Sequence, residues 1–392
     1  MKIKNSIKAF KKASKLIPLG SQTFSKSYKL YDPNFFPLFI LKGRKQFVED
    51  LDGNVYTDFV NGLGCVSIGY AIKKFDNHLK KKINNGITFS LSHPIEEEVS
   101  RELKKIIPSA EMVRFGKNGT DANSAAIRLA RYYTGRKKIA VCGYHGWQDW
   151  YIGSTSMDGG IPEEIKNLTD NFKFNDIESL RKLLRKNKYA AIILEPLSVY
   201  LPDKTFLKQI RTLCNKHKTL LIFDEICTGF RVSIGGAQKL YKVKPDISTF
   251  GKAMANGYPI SAVVGKKKIM KKMEEIFYSG TFQGETLSLE ACKQTIKYLK
   301  KNNSIQKNIK KGKKLIEKFN QISKSNQLDH IIKLSGHPSW PFLVIENVND
   351  NLKNQIKTYF MQEYILNKIL FIGSFNINDS HNNKDILNLI KV

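Results

Sequence analysis

The chain has 392 residues, 41% hydrophobic and 26% charged, with a formal net charge of +30; that length exceeds one small core and fits a large domain with a smaller companion. The charge comes from 55 lysines against 10 arginines, scattered along stretches such as KKFDNHLKKK and KNIKKGKKLIEK, which read as solvated helix faces and not as the arginine forks of a nucleic-acid site. No apolar run reaches the roughly 20 residues of a bilayer-spanning helix, and the basic N-terminus lacks a signal-peptide pattern, so a cytoplasmic protein without nucleic-acid or membrane partners is expected.

The N-terminal segment MKIKNSIKAFKKASKLIP reads as an amphipathic surface helix with Ile7, Phe10 and Ile17 turned inward. Residues 38–60 form a small β region, with a tight turn at Asp52-Gly53-Asn54. Pro94-Ile95-Glu96 opens a helix running to about Ile107. Apolar runs then alternate with helices. The runs are 111–115, 138–142, 189–195, 219–225, 246–250 and 261–265; the helices are 121–133, 177–187 and 204–217. This alternation predicts an α/β fold with a mainly parallel central sheet covered by helices. Residues 147–175 are polar and predict a surface loop. A Lys-rich helical stretch runs from 284 to 324, followed by a strand at 341–346 and a helix at 351–367. The expected division is 1–60 and 291–392 as the two segments of a smaller α/β domain, with 61–290 as the large domain.

In a parallel sheet, ligands collect beyond the carboxyl ends of the strands, and the polar residues of this chain fall there. Lys252 follows a strand in Gly251-Lys252-Ala253-Met254-Ala255-Asn256-Gly257. A lysine crowded among small residues loses ammonium character and becomes a nucleophile for carbonyls, although taken singly it is one lysine among 55. Asp224 ends the run TLLIF, where it could cap a turn or keep a pyridine nitrogen protonated. Gly119 and Thr120 open a helix after a strand, so backbone N–H groups, a hydroxyl and the helix dipole make either a plain cap or a phosphate cup. Tyr144-His145 closes another strand, where an aromatic ring can stack on a planar ligand or simply fill the core. No Walker loop is present, and Gly62-x-Gly64 lacks the third glycine of a dinucleotide site. The five cysteines have no C-x-x-C spacing, so neither disulfides nor a metal site is expected.

Taken together, DLDGNVYTDFVNGLG, VRFGKNGTDANSAAIRLARYYTGRKKI, YHGW, LEP, LLIFDEICTGFR, GKAMANGYPISAVVG and SGTFQGETLSLEA resemble the class III aminotransferases of pyridoxal-5'-phosphate (PLP) fold type I. The resemblance is closest to the glutamate-1-semialdehyde 2,1-aminomutase group and runs from about residue 15 to about 385. It implies PLP as cofactor, Lys252 as the Schiff-base lysine and proton shuttle, and Asp224 as partner of the ring nitrogen. It places Ile226 and Tyr144 on the two ring faces, with Tyr144 and His145 among the cofactor contacts and Gly119 and Thr120 at the phosphate. Thr281 matches a threonine reaching the phosphate of the neighbouring subunit's cofactor, which implies a homodimer whose active sites are completed across the interface. The implied reaction moves an amino group from a small-molecule donor to a carbonyl acceptor through a pyridoxamine phosphate stage.

The chain departs from the aminomutase pattern at places that bear on substrate. Lys26, after Ser25, stands where an arginine holds the substrate carboxylate. Tyr200 lies near the place of a cofactor-contacting asparagine, and Glu285 replaces another asparagine. The resemblance therefore leaves two enzymatic readings: an aminomutase-like reaction within one molecule, or an intermolecular aminotransferase acting on another amino acid, aldehyde or keto compound, as in surface-polysaccharide or secondary-metabolite biosynthesis. A catalytically reduced binding subunit is the non-enzymatic alternative.

Overall fold

Short apolar runs become strands, and the amphipathic stretches between them become helices, in the computed structural model, which describes residues 2–392. The chain divides into two compact units, Met1–Asp76 with Asn302–Val392, and Asn77–Lys301. In the first unit, β1 (Ile40–Arg44), β2 (Phe47–Asp50) and β3 (Val55–Asp58) form an antiparallel meander. The Asp50 carboxylate holds the turn between β2 and β3, accepting the N–H groups of Asp52 at 2.9 Å and Asn54 at 2.8 Å. Gly53 takes the left-handed conformation this turn requires, at φ 78°.

The second unit is built on seven strands. They are β4 (Met112–Gly116), β5 (Lys138–Cys142), β6 (Thr169–Asn171), β7 (Tyr189–Leu194), β8 (Leu220–Glu225), β9 (Ile247–Phe250) and β10 (Ser261–Gly265). Their order in the sheet is β4-β10-β9-β8-β7-β5-β6. Only β10 runs against its neighbours, pairing antiparallel with β4 and β9. Every residue of β7 and β8 is buried, as expected for strands covered on both faces. Ile139, Val141, Ile193 and Ile222 pack with the helix Gly119–Thr134. The alternate residues Ala140, Ile192, Leu194, Leu221 and Phe223 pack with helices Ile177–Lys186 and Phe206–Lys216. Each such Ile or Leu contributes about 1.5–3 kcal/mol through removal from water, so this two-faced core fixes the strand ends that carry the site.

The last strands are β11 (Ile332–His337), β12 (Trp340–Ile345) and β13 (Ile369–Leu370). The hairpin β11–β12 and the parallel addition of β13 to β3 belong to the first unit. Its core joins both chain ends: Tyr56 and Phe59 pack with Leu315, Phe371, Phe375 and Ile386.

Three sequence expectations change. Residues 147–175 are not a plain loop: they contain helices Asp149–Ile152 and Glu163–Lys166 and the edge strand β6. Trp150 and Tyr151 are buried and anchor this otherwise polar segment. The stretch 284–324 is two helices, Thr286–Asn302 and Ser304–Ser325, broken where Asn303 turns left-handed at φ 50°, a conformation asparagine tolerates. The N-terminal helix ends at Ala13, before Ile17. Its first turn is capped from outside, with Asp52 accepting the N–H groups of Asn5 and Ser6 at 2.8 and 2.9 Å. Among the described residues, no helix is long and apolar enough to cross a membrane.

Candidate active site

β8 and β9 are adjacent and parallel, with Asp224 in register with Thr249. Asp224 lies at the carboxyl end of β8, and Lys252 follows β9 by two residues. Asp224 is buried, and its oxygens are unequally engaged. Oδ2 accepts Asn123 Nδ2 at 2.7 Å and meets His145 Nδ1 at 2.8 Å, while Oδ1 accepts the Ile226 N–H at 3.0 Å. The Asn123 amide is itself fixed: it accepts the Thr249 hydroxyl at 2.6 Å and donates to the His145 carbonyl at 3.1 Å. The chain Thr249–Asn123–Asp224–His145 thus lies wholly in the interior, where charge-assisted bonds are strongest.

His145 is 1% exposed. Its ring stacks near Trp150, with centroids 6.3 Å apart, and meets Tyr151 edge-on at 5.2 Å. Nε2 is buried and has no hydrogen-bond partner among the described residues. The tautomer protonated at Nδ1 therefore satisfies Asp224 and leaves no buried donor orphaned. Tyr144, next in sequence, goes the other way: its side chain is 61% exposed. Gly143 and Gly146, at φ 105° and 104°, make the reversals that separate the two side chains. The Tyr144 N–H donates to Glu195 Oε2 at 3.0 Å. Burial, and then the Asp224 carboxylate, push the Glu195 carboxyl above its usual range.

Lys252 opens a 3₁₀ turn, Lys252–Ala255, from a left-handed conformation at φ 42°. A non-glycine residue there carries about 1–3 kcal/mol of strain, which its surroundings must impose. Its side chain is half-buried, and Nζ donates to Cys227 Sγ at 2.7 Å. Ile226 fills the space between two glycines. A methyl group at Gly119 would sit 2.9 Å from Ile226 Cγ2, and one at Gly251 would sit 3.2 Å from Cδ1. Both glycines let the backbone close on this one aliphatic side chain.

The helix Gly119–Thr134 starts directly beyond β4. Its first N–H groups, at Gly119 and Thr120, have no acceptor within the helix. Asp121 closes the cap by accepting the Asn118 N–H at 2.8 Å. Thr120 is buried, and its Oγ1 accepts the Trp147 N–H at 3.3 Å. A side chain at Gly146 would collide with that hydroxyl. Thr281 is exposed and lines a cavity of about 360 Å³ on the flank of this helix start, with Lys117, Asp121, Arg128 and Gln148.

The remaining expected residues lie elsewhere. Glu285 is already engaged, pairing with Lys117 at 2.9 Å and accepting the Ser288 hydroxyl at 2.6 Å. Burial raises its carboxyl, but Ser288 and Lys117 outweigh burial and leave it below the usual range. Ser25 and Lys26 belong to the other unit, where they line a 430 Å³ cavity with Tyr31, Asp58, Leu63 and Tyr70. Tyr200 is 46% exposed. Sequence reasoning missed Asn123, Glu195 and Cys227. Asn123 lies one helical turn after Thr120, and Glu195 ends its apolar run as Asp224 does; nothing in the sequence marks Cys227.

PLP needs an acceptor for its ring nitrogen, an amine for its aldehyde, an anion site and an apolar face. The residues fit. Asp224 Oδ1 carries one backbone N–H and retains a lone pair; Lys252 would supply the amine, the helix start at Gly119 and Thr120 the anion site, and Ile226 the apolar face.

Fold and site together define a PLP-dependent transferase of fold type I. The class III aminotransferase family matches residues 29–370, and the chain belongs to that family. It is 35% identical over 379 residues to a 3-aminobutyryl-CoA aminotransferase of Cloacimonas acidaminovorans, covering 94% of this chain and 90% of that one. It is 37% identical over 326 residues to a glutamate-1-semialdehyde 2,1-aminomutase of Archaeoglobus fulgidus, covering 78% and 77%. Among solved structures, the Sphingopyxis FumI protein in its PLP internal aldimine form superposes with a TM-score of 0.91 at 24% identity, covering 98% and 94%. PLP is the cofactor of this family.

Proposed function

We propose that the protein transfers an amino group between a small-molecule donor and a carbonyl acceptor, with Lys252 as the residue that holds PLP covalently. The observation that carries this reading is the buried Asp224 network at the end of β8, beside the strand that delivers Lys252. When bound, PLP supplies an electron sink for charge developing on the substrate carbon. Asp224 Oδ1 would keep the ring nitrogen protonated, while His145 and Asn123 hold the carboxylate in place through Oδ2. Lys252 Nζ, when not holding the cofactor, would carry the proton at the reacting carbon. Gly119 and Thr120 hold the phosphate, and Ile226 and Tyr144 bracket the ring. Thr281 reaches the phosphate bound by the neighbouring subunit of a cytoplasmic homodimer.

Within this chemistry, an aminomutase-like reaction is the first reading, since several relatives carry that name. A specific observation favours the second, intermolecular reading: the aminotransferase relative matches over 94% of the chain. Borohydride reduction of the purified protein, followed by peptide mass spectrometry, tests the core of the proposal; PLP fixed on any residue other than Lys252 overturns it. Incubation with glutamate-1-semialdehyde alone, and with 2- and 3-amino acids plus 2-oxoglutarate, then separates the two readings by which mixture turns over.

A further inference from the structure

Lys252 Nζ donates to the Cys227 sulfur at 2.7 Å. Cys227 lies on the turn after β8, and that turn is pinned at both ends. The Ile226 N–H is held by Asp224 at 3.0 Å, and the Thr228 hydroxyl is held by the buried Glu225 carboxylate. Glu225 also accepts the N–H groups of Ala237 at 2.7 Å and Gln238 at 2.9 Å. The sulfur is therefore presented from a fixed backbone, and the amine comes to it on a flexible stem.

We propose that Cys227 is a positioning residue: its thiol is the resting point of the Lys252 amine whenever that amine is released from the cofactor. This rests on the reading of Lys252 as the cofactor-bearing lysine. A thiol is a weak acceptor and a weak donor, so it fixes the direction of the amine yet lets go of it easily. Burial pushes the Cys227 thiol up to about 11, with Lys252 partly opposing, so at neutral pH the sulfur is uncharged. A carboxylate at this place would instead hold the amine as an ammonium ion, useless as a nucleophile or base. Titratable groups acting on this pair include Tyr144, Glu195 and Asp224. Burial, and then Asp224, push the Glu195 carboxyl above its usual range, and Asp224 is itself engaged by three donors.

The experiment strips the full-length protein of cofactor, adds PLP back, and follows covalent capture by absorbance across pH; in parallel, Lys252 is labelled by reductive methylation and quantified by peptide mass spectrometry. Cys227→Val removes the resting point without adding charge, and capture should slow about fivefold at every pH with the labelling midpoint unmoved. Cys227→Ser restores a weak partner and should recover the rate to within about twofold. Cys227→Asp should raise the labelling midpoint by about one pH unit or more. If the aspartate variant does not fold, the valine and serine pair decides. Capture rates for Cys227→Val equal to wild type at every pH overturn the proposal. Borohydride trapping in the wild type keeps the two claims apart: PLP fixed on Lys252 with identical variant rates sinks the cysteine alone, and PLP fixed elsewhere sinks the lysine assignment beneath it.

Discussion

Asn123→Ala removes one amide that makes three buried hydrogen bonds. Asp224 loses a donor at 2.7 Å, the Thr249 hydroxyl loses its acceptor at 2.6 Å, and the His145 carbonyl loses a donor at 3.1 Å. A bond to a charged group is worth about 2 kcal/mol and each neutral one about 1 kcal/mol, so the whole loss is about 4 kcal/mol. Thr249→Val keeps the side-chain shape and forfeits one neutral bond, so it should cost only about 1–2 kcal/mol. The double variant should cost less than the two singles together, because they share a bond. Urea unfolding of the cofactor-free protein, monitored by tryptophan fluorescence and circular dichroism, measures all three. An Asn123→Ala loss below about 1 kcal/mol, or strict additivity with Thr249→Val, would refute the idea that this amide is the keystone of the Asp224 network.

Thr281→Ala should speed PLP loss on dialysis while leaving the circular dichroism spectrum unchanged; equal retention would contradict its reach across a dimer interface. Gly146→Ala should weaken PLP binding and lower the melting temperature, since the left-handed backbone and the Thr120 hydroxyl leave no space for a methyl group. His381 is buried, stacks on Phe59 at 4.3 Å, and accepts the Asn378 N–H at Nδ1. Burial, reinforced by Lys311, lowers it from 6.5 to about 3. Because the unfolded chain takes up this proton first, its contribution is full above about pH 6.5 and is lost as pH falls toward 3, on the order of 5 kcal/mol in all. His381→Gln should flatten that slope, and unfolding midpoints of wild type and variant that run parallel between pH 6.5 and 4 would count against it.

The strand ends were readable because apolar runs leave their last polar residue nowhere else to go. TLLIF forces Asp224 to the end of β8, and YAAIIL forces Glu195 to the end of β7. The helix after β4 was readable from its cap and its small residues. What could not be read was direction. Tyr144 and His145 are neighbours, and only the left-handed glycines on either side decide that one faces out and the other goes under Asp224. The break at Asn303 was equally silent, since the surrounding KKNNSIQK contains neither glycine nor proline. The strand β11 escaped because its apolar alternation is only two residues long, Ile332 and Leu334, before Ser335-Gly336-His337.

The loop from Ile226 to Ala237 takes its shape from a single acid. Glu225 gathers the hydroxyl of Thr228 and the main chain of Ala237 and Gln238, while a side chain at Gly236 would come within 2.5 Å of the same carboxyl group. The loop is in effect a cast of that carboxylate, and Ile226 and Cys227 hold their places only while the mould is intact. A random search for inactive variants should therefore recover Glu225 and Gly236 as readily as Lys252, although neither meets a reacting atom.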